Sequence, residues 1–190
     1  GVAGTHGKTS VSTMLAEILS NSKQGCNAFL GGISKTFRSN LYLDPGSNII
    51  LAEADEYDRS FLTLFPEIGL VTAIDAAHLD IYKSKDKIVQ AFESFIAQIK
   101  EKGRLIIRHG LQVAVPEHLD VFTYSLSHPE THYHARHINQ DETGCSFTIV
   151  TPTNIIPDVS MGMYGEINIE NAIGAAALAD QLGVTHEVSH

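Results

Sequence analysis

Gly4-Thr5-His6-Gly7-Lys8-Thr9, set between Val2-Ala3 and an amphipathic run from Thr9 to Leu19, is the stretch on which the fold turns. Glycines let backbone N–H groups close around phosphate oxygens, and a helix that follows adds its positive N-terminal end. A lysine after the last glycine reaches the outer phosphates, and the next hydroxyl takes a place on magnesium. Here those residues are Lys8 and Thr9, with Gly4, Thr5, His6, Gly7 and Ser10 forming the rest of the loop and the helix start. Val11, Met14, Leu15, Ile18 and Leu19 recur at helical spacing and predict one buried stripe. The common spacing G-x-x-x-x-G-K-[ST] would need glycine at position 2, where the chain has Val2; its glycines stand at 1, 4 and 7. A glycine loop carrying GKT at a strand–helix junction predicts nucleotide binding all the same.

Working outward, Gly25 to Leu30 reads as a strand running into a loop at Gly31-Gly32. Asn48 to Ala52 (NIILA) is a continuous apolar run, as expected of a strand buried on both faces. It delivers Glu53, Asp55, Glu56 and Asp58 to its C-terminal end, where open parallel sheets bind ligands. Such an acidic run is ordinarily a solvated loop. Next to a phosphate loop it also offers the one or two carboxylates that magnesium takes besides phosphate and water, which makes Glu53 the metal candidate. Ile68 to Ile74 is a second buried-type strand, ending in Asp75-Ala76-Ala77-His78-Leu79-Asp80. His78 is there either a structural histidine or a ligand.

Ser84 to Lys100 places Ile88, Val89, Phe92, Phe95, Ile96 and Ile99 on one helical face, and Arg104 to Ile107 reads as another strand. This alternation predicts an α/β fold with a doubly wound, mostly parallel sheet. From Val121 to Ser160 the texture changes to short runs, a turn at Asp141–Gly144 and a strand at Cys145 to Val150, predicting a small antiparallel β excursion. His128, His132, His134 and His137 fall there, with His132 and His134 on one strand face, but no further ligand follows at a zinc-site spacing. Thr151 to Pro157 reads as a loop or edge. An alanine-rich helix from about Asn168 to Leu182 closes the pattern, with Gly183 at its C-terminal cap.

Composition narrows the partners. The chain has 190 residues, 43% hydrophobic and 18% charged, which suits one well-cored domain. Lys+Arg 13 against Asp+Glu 22 gives a net charge of -9, the opposite of a nucleic-acid binder's balance. No apolar run approaches the ~20 residues that span a bilayer, so no membrane partner is expected. Two cysteines, Cys26 and Cys145, make no disulfide framework, and a reduced cytoplasmic protein is the expectation.

Four segments in order, GTHGKT, EADEYDRSFL, DAAHLDIY and GEINIENA, resemble the Mur ligases of peptidoglycan synthesis. The similarity covers nearly the whole chain, and a glycine three residues before GK is that family's form of the loop. It implies that residues 1–190 are the central ATP-binding domain of a three-domain ligase, whose N-terminal UDP-substrate domain and C-terminal domain lie outside this chain. The implied reaction uses ATP and Mg2+ to convert a substrate carboxylate to an acyl phosphate, which an amine then attacks. Arg59-Ser60-Phe61-Leu62 and His78-Leu79-Asp80-Ile81-Tyr82 favour the branch that joins L-alanine to UDP-N-acetylmuramate. Joining a peptide in murein recycling is the alternative, and a non-catalytic nucleotide-binding module a further one.

The resemblance assigns Lys8 to the β/γ phosphates, Thr9 and Glu53 to a first magnesium, and His78 to a second. Lys8, Glu53 and His78 are thereby the catalytic candidates. His6 lies beside the γ-phosphate, and Asn168 and Asn171 hold the adenine side. Two positions depart from the pattern. Glu93 stands about where sister ligases carry a carbamylated lysine, so either its carboxylate supplies the metal oxygen directly or the position is not used. Ile167 replaces the usual histidine and cannot hydrogen-bond.

Overall fold

The computed structural model describes residues 1–57, 60–75 and 84–184. Its elements are β1 (Val2–Ala3), α1 (Lys8–Ser20), β2 (Asn27–Ser34), β3 (Ser39–Tyr42), β4 (Ile50–Ala54), a 3-10 turn (Ser60–Thr63) and β5 (Ile68–Val71). There follow α2 (Lys85–Ala97), β6 (Arg104–Arg108), β7 (Asp120–Tyr124), β8 (His134–Asp141), β9 (Gly144–Val150), β10 (Ile155–Met161) and α3 (Glu166–Gln181). Seven strands form one sheet in the order β3-β2-β4-β1-β5-β6-β7. Every neighbouring pair in it is parallel except β2 with β3. The predicted mostly parallel α/β sheet is present.

Residue alternation along the strands sorts the core into two layers. Val2, Leu70 and Ile106 belong to the layer that holds Val11, Leu15 and Leu19 of α1 and Ile173 to Ala179 of α3. Their neighbours Ala3, Val71, Leu105 and Ile107 face the other layer, with Phe61 of the 3-10 turn and Ile88, Phe92, Phe95 and Ile96 of α2. Phe61 meets Phe92 edge-on and stacks on Phe95, each at 5.5 Å between ring centroids. Helices on both faces thus bury the central strands, which is why those strands read as unbroken apolar runs.

Central β1 lies between β4 and β5, so the loop leaving it opens into the crevice formed by their C-terminal ends. Parallel pairing with β1 (Val2↔Glu53, Ala3↔Ala54) carries β4 two residues further than the apolar run suggests. Glu53 is therefore a strand residue, not a loop residue. Strand β2 likewise continues through Gly31-Gly32, because β3 pairs with it as far as Ser34↔Ser39.

The chain from Val121 is not all antiparallel excursion. Strand β7 pairs in parallel with β6 (Arg104↔Asp120 to Arg108↔Tyr124) and forms the edge of the main sheet. The antiparallel sheet is β10-β9-β8, whose β8–β9 hairpin turns where Asp141 pairs with Gly144. Pro157 sits in edge strand β10 within a register shift between Ile156 and Val159, where a missing N–H disturbs no ladder. Helix α3 ends in a Schellman pattern, Val184 N–H to Ala179 O at 3.0 Å and Gly183 N–H to Asp180 O at 2.9 Å. Among the described residues no helix is long and apolar enough to cross a membrane.

Candidate nucleotide site

The loop after β1 is pinned from the β5 side. Thr5 N–H donates to Ala73 O at 2.9 Å, and Thr5 Oγ1 accepts from Asp75 N–H at 3.1 Å. The buried Thr72 hydroxyl reaches the carbonyls of both Ala3 and His6. Gly4 runs close beneath it: a Cβ there would stand 2.0 Å from Thr72 Oγ1. Gly7 has φ +81 and is itself the N-cap of α1, and a Cβ on it would lie 2.6 Å from Asn171 Oδ1. No described side chain caps α1, and its first turn carries no acid. The positive end of the helix is thus directed at the loop without a local counter-charge from its own first turn.

Lys8 and Thr9, the first residues of α1, each meet a carboxylate delivered by β4. Thr9 Oγ1 donates to Glu53 Oε1 at 2.7 Å, and Glu53 Oε2 accepts from Gly31 N–H at 2.7 Å. Lys8 Nζ donates to Glu56 Oε2 at 2.6 Å and to Gly4 O at 2.7 Å. Glu56 is 1% exposed, whereas its neighbours Asp55 and Tyr57 face solvent. The turn is set by Asp55, whose Oδ1 accepts Tyr57 N–H at 3.0 Å and whose carbonyl accepts Phe61 N–H at 3.2 Å. Composition alone marks Glu56 as one acid of a solvated run. The signal that singles it out is its delivery to a strand end beside the one lysine of the loop.

The other predicted residues divide. Ser10 is half-buried in the first turn of α1. His6 is exposed, its Nε2 3.7 Å from Asp75 Oδ2, a separation at which two solvated groups gain little. Asn171 is buried against Gly7, while Asn168 spends its amide on Tyr164 O at 2.9 Å within its own helix start. Ile167 points outward. Glu93 Oε1 accepts Ala114 N–H at 2.9 Å, tying α2 to the segment between β6 and β7. His78, with Asp58 and Arg59, lies outside the described residues.

Three features of this end of the sheet escape a reading of motifs: Thr72, Gly31 and the carboxylate of Glu170. Glu170 accepts Arg108 Nε–H at 2.7 Å and Leu126 N–H at 3.2 Å, fastening α3 to the ends of β6 and β7 beside Asn171. His132 and His134 do not share a strand face. His132 Nδ1 accepts Thr123 N–H at 3.1 Å before β8 begins, and His134 is buried with Nδ1 3.3 Å from Thr131 O. A cavity of about 380 Å³ lies at the opposite end of the strands, lined by Val2, Leu51, Phe65, Ile68 and Leu178, and includes no residue of the Gly4–Thr9 loop.

Among the described residues no group of three or more His, Cys, Asp and Glu could hold a metal. The donors that do meet, the Thr9 hydroxyl and the Glu53 carboxylate, are hard oxygens. They suit magnesium, which keeps water and phosphate oxygens for the rest of its octahedron.

A central parallel strand, a glycine turn and a helix opening with lysine and threonine define a phosphate-loop α/β domain. Its relatives are specific. The chain belongs to the Mur ligase family, the Mur ligase middle domain matching residues 2–179. It is 44% identical over 186 residues to a UDP-N-acetylmuramate–L-alanine ligase of Phocaeicola vulgatus, covering 98% of this chain and 41% of that protein. The chain thus spans about two fifths of the length of that relative. Among solved structures it superposes on the UDP-N-acetylmuramate:L-alanyl-gamma-D-glutamyl-meso-diaminopimelate ligase of Neisseria meningitides with a TM-score of 0.83 at 24% identity, covering 97% of this chain and 61% of that one. It superposes on the MurF ligase of Thermotoga maritima in complex with ADP with a TM-score of 0.76 at 18% identity, covering 97% and 45%. At those identities the likeness is one of fold.

Proposed function

We propose that this chain is the central ATP-binding domain of a ligase that joins L-alanine to the carboxylate of UDP-N-acetylmuramate. The observation that carries the reading is its 44% identity, over 98% of its length, to a relative of that name. The loop supports it, since Lys8, Thr9 and the backbone of Gly4 to Gly7 have the chemistry to hold a triphosphate.

A carboxylate is a poor acyl donor because oxide is a poor leaving group. Transfer of the γ-phosphoryl group to it gives an acyl phosphate and ADP. The alanine amine then attacks the acyl carbon, the C–O bond to phosphate breaks, and the amide and phosphate are released. Little covalent work falls to the protein, whose part is positioning and charge. In this reading Lys8 donates to the outer phosphates, and the α1 end and loop N–H groups fix their orientation. Thr9 and Glu53 hold magnesium, which when bound offsets charge on the phosphoryl oxygens. His78 holds a second ion, and Glu93 either supplies a carboxylate oxygen to it or is not used. Asn171, wedged against Gly7, and Asn168 line the approach of the nucleoside.

The test is the full-length ligase supplied with ATP, MgCl2, UDP-N-acetylmuramate and L-alanine. ADP and UDP-N-acetylmuramoyl-L-alanine in equal amounts are expected. ADP formed only with a peptide in place of alanine would move the protein to the recycling branch, and no ADP with any acceptor would leave a binding module.

A further inference from the structure

Lys8, the residue expected to meet phosphate, already has a partner of opposite charge. Its Nζ is 2.6 Å from a carboxylate oxygen of Glu56, a side chain 1% exposed. A second N–H is spent on Gly4 O at 2.7 Å, inside the same loop. One of the three ammonium protons is then left for a ligand oxygen. Thr9 is engaged in the same manner, by Glu53 at 2.7 Å. Around the loop mouth Lys8 faces Glu56, Thr9 faces Glu53, and His6 faces Asp75. A polyphosphate arriving without a cation therefore meets an ammonium that is already neutralised, with carboxylates behind it.

Resting on the nucleotide reading above, we propose that Glu56 is a positioning residue which neutralises Lys8 and so makes nucleotide uptake conditional on a divalent cation. Two effects follow from one contact. The pair fixes the lysine at the loop, held between Glu56 and Gly4 O, so that little side-chain ordering remains when phosphate binds. It also cancels the attraction that would otherwise let a free nucleotide bind by charge alone. Burial sharpens this, because a carboxylate shielded from water acts on its neighbours at a lower effective dielectric than an exposed one. An exposed acid in the same run, such as Asp55, would be screened and could not do it.

The experiment is calorimetric titration of the full-length ligase with ADP, once in MgCl2 and once in EDTA, for the wild type, Glu56→Gln and Glu56→Asp. The wild type is expected to bind at least about tenfold more weakly in EDTA. Glu56→Gln keeps the shape but removes the charge, and its affinity in EDTA should rise about tenfold, so that the ratio between the two conditions collapses. Glu56→Asp keeps the charge but withdraws it by one methylene. Its ratio should fall between those of the other two proteins, and it decides the matter if Glu56→Gln does not fold. A cation ratio unchanged in the folded variants, or a lower affinity in EDTA on removing the charge, overturns the role of Glu56 while leaving the nucleotide reading intact. No uptake by the wild type even with MgCl2 overturns that reading and this one with it.

Discussion

Gly7→Ala tests how tightly the loop is built. Gly7 has φ +81, a conformation that costs an L-residue about 1–2 kcal/mol. The new methyl would also stand 2.6 Å from Asn171 Oδ1, about an ångström inside ordinary contact. Asn171 is 6% exposed, so its amide has no solvent to swing into and the helix must give instead. Overpacking of that kind costs about 1–3 kcal/mol, which brings the whole to about 2–5 kcal/mol. Asn171→Ala in the same background removes the clash and leaves the backbone cost. The two substitutions should therefore be non-additive, the double variant being about 1–3 kcal/mol more stable than the sum predicts. Urea unfolding of the four proteins of this cycle, monitored by circular dichroism, gives the coupling directly. A Gly7→Ala protein within about 0.5 kcal/mol of wild type, or costs that simply add, would refute the close contact of α3 with the loop.

Further outcomes follow from the same geometry. Phe61→Ala opens the fully buried cluster with Phe92 and Phe95 and should lower stability by about 3–5 kcal/mol in urea titration. Glu170→Gln removes the charge that Arg108 meets at 2.7 Å while keeping an acceptor for Leu126 N–H. With the arginine partly in solvent, the loss should be about 1 kcal/mol in the same assay. Burial, and then the nearby Asp44 carboxylate, push the Cys26 thiol up to about 11 from an ordinary 9.0. An acid whose folded value is raised is deprotonated first in the unfolded chain, so its contribution is complete below about pH 9 and is lost as pH rises toward about 11. Thermal midpoints between pH 8.5 and 10.5 should thus fall more steeply for wild type than for Cys26→Ala, and parallel curves would contradict the assignment.

Local chemistry made the central parts of this fold legible. The glycine turn, the stripe of α1 and the alanine-rich α3 each declare themselves within a few residues. Strand limits did not, because they depend on partners distant in sequence: β4 reaches Ala54 only because β1 pairs with it, and β2 crosses two glycines only because β3 lies alongside. Strand β7 was harder still. Its residues Asp120–Tyr124 have no pattern that separates a parallel edge from an antiparallel hairpin, and the choice is made by β6.

In the candidate site, Lys8 and Thr9 could be named from the loop motif, and Glu53 from its place at a strand end beside that loop. Glu56 could not, because its burial follows from the turn that Asp55 sets and not from its own identity. The value of Thr72 and Gly31 as supports is equally a product of close approach across the sheet.

The most direct measurement is an anomalous-scattering map from crystals of the full-length protein grown with ADP and MnCl2. Manganese stands in for magnesium as a hard octahedral ion. The expected map holds the diphosphate within the Gly4–Lys8 turn and a manganese peak about 2.2 Å from Thr9 Oγ1, with the Glu53 carboxylate on the ion directly or through one water. A diphosphate bound elsewhere, or a metal peak that touches neither Thr9 nor Glu53, would contradict the account.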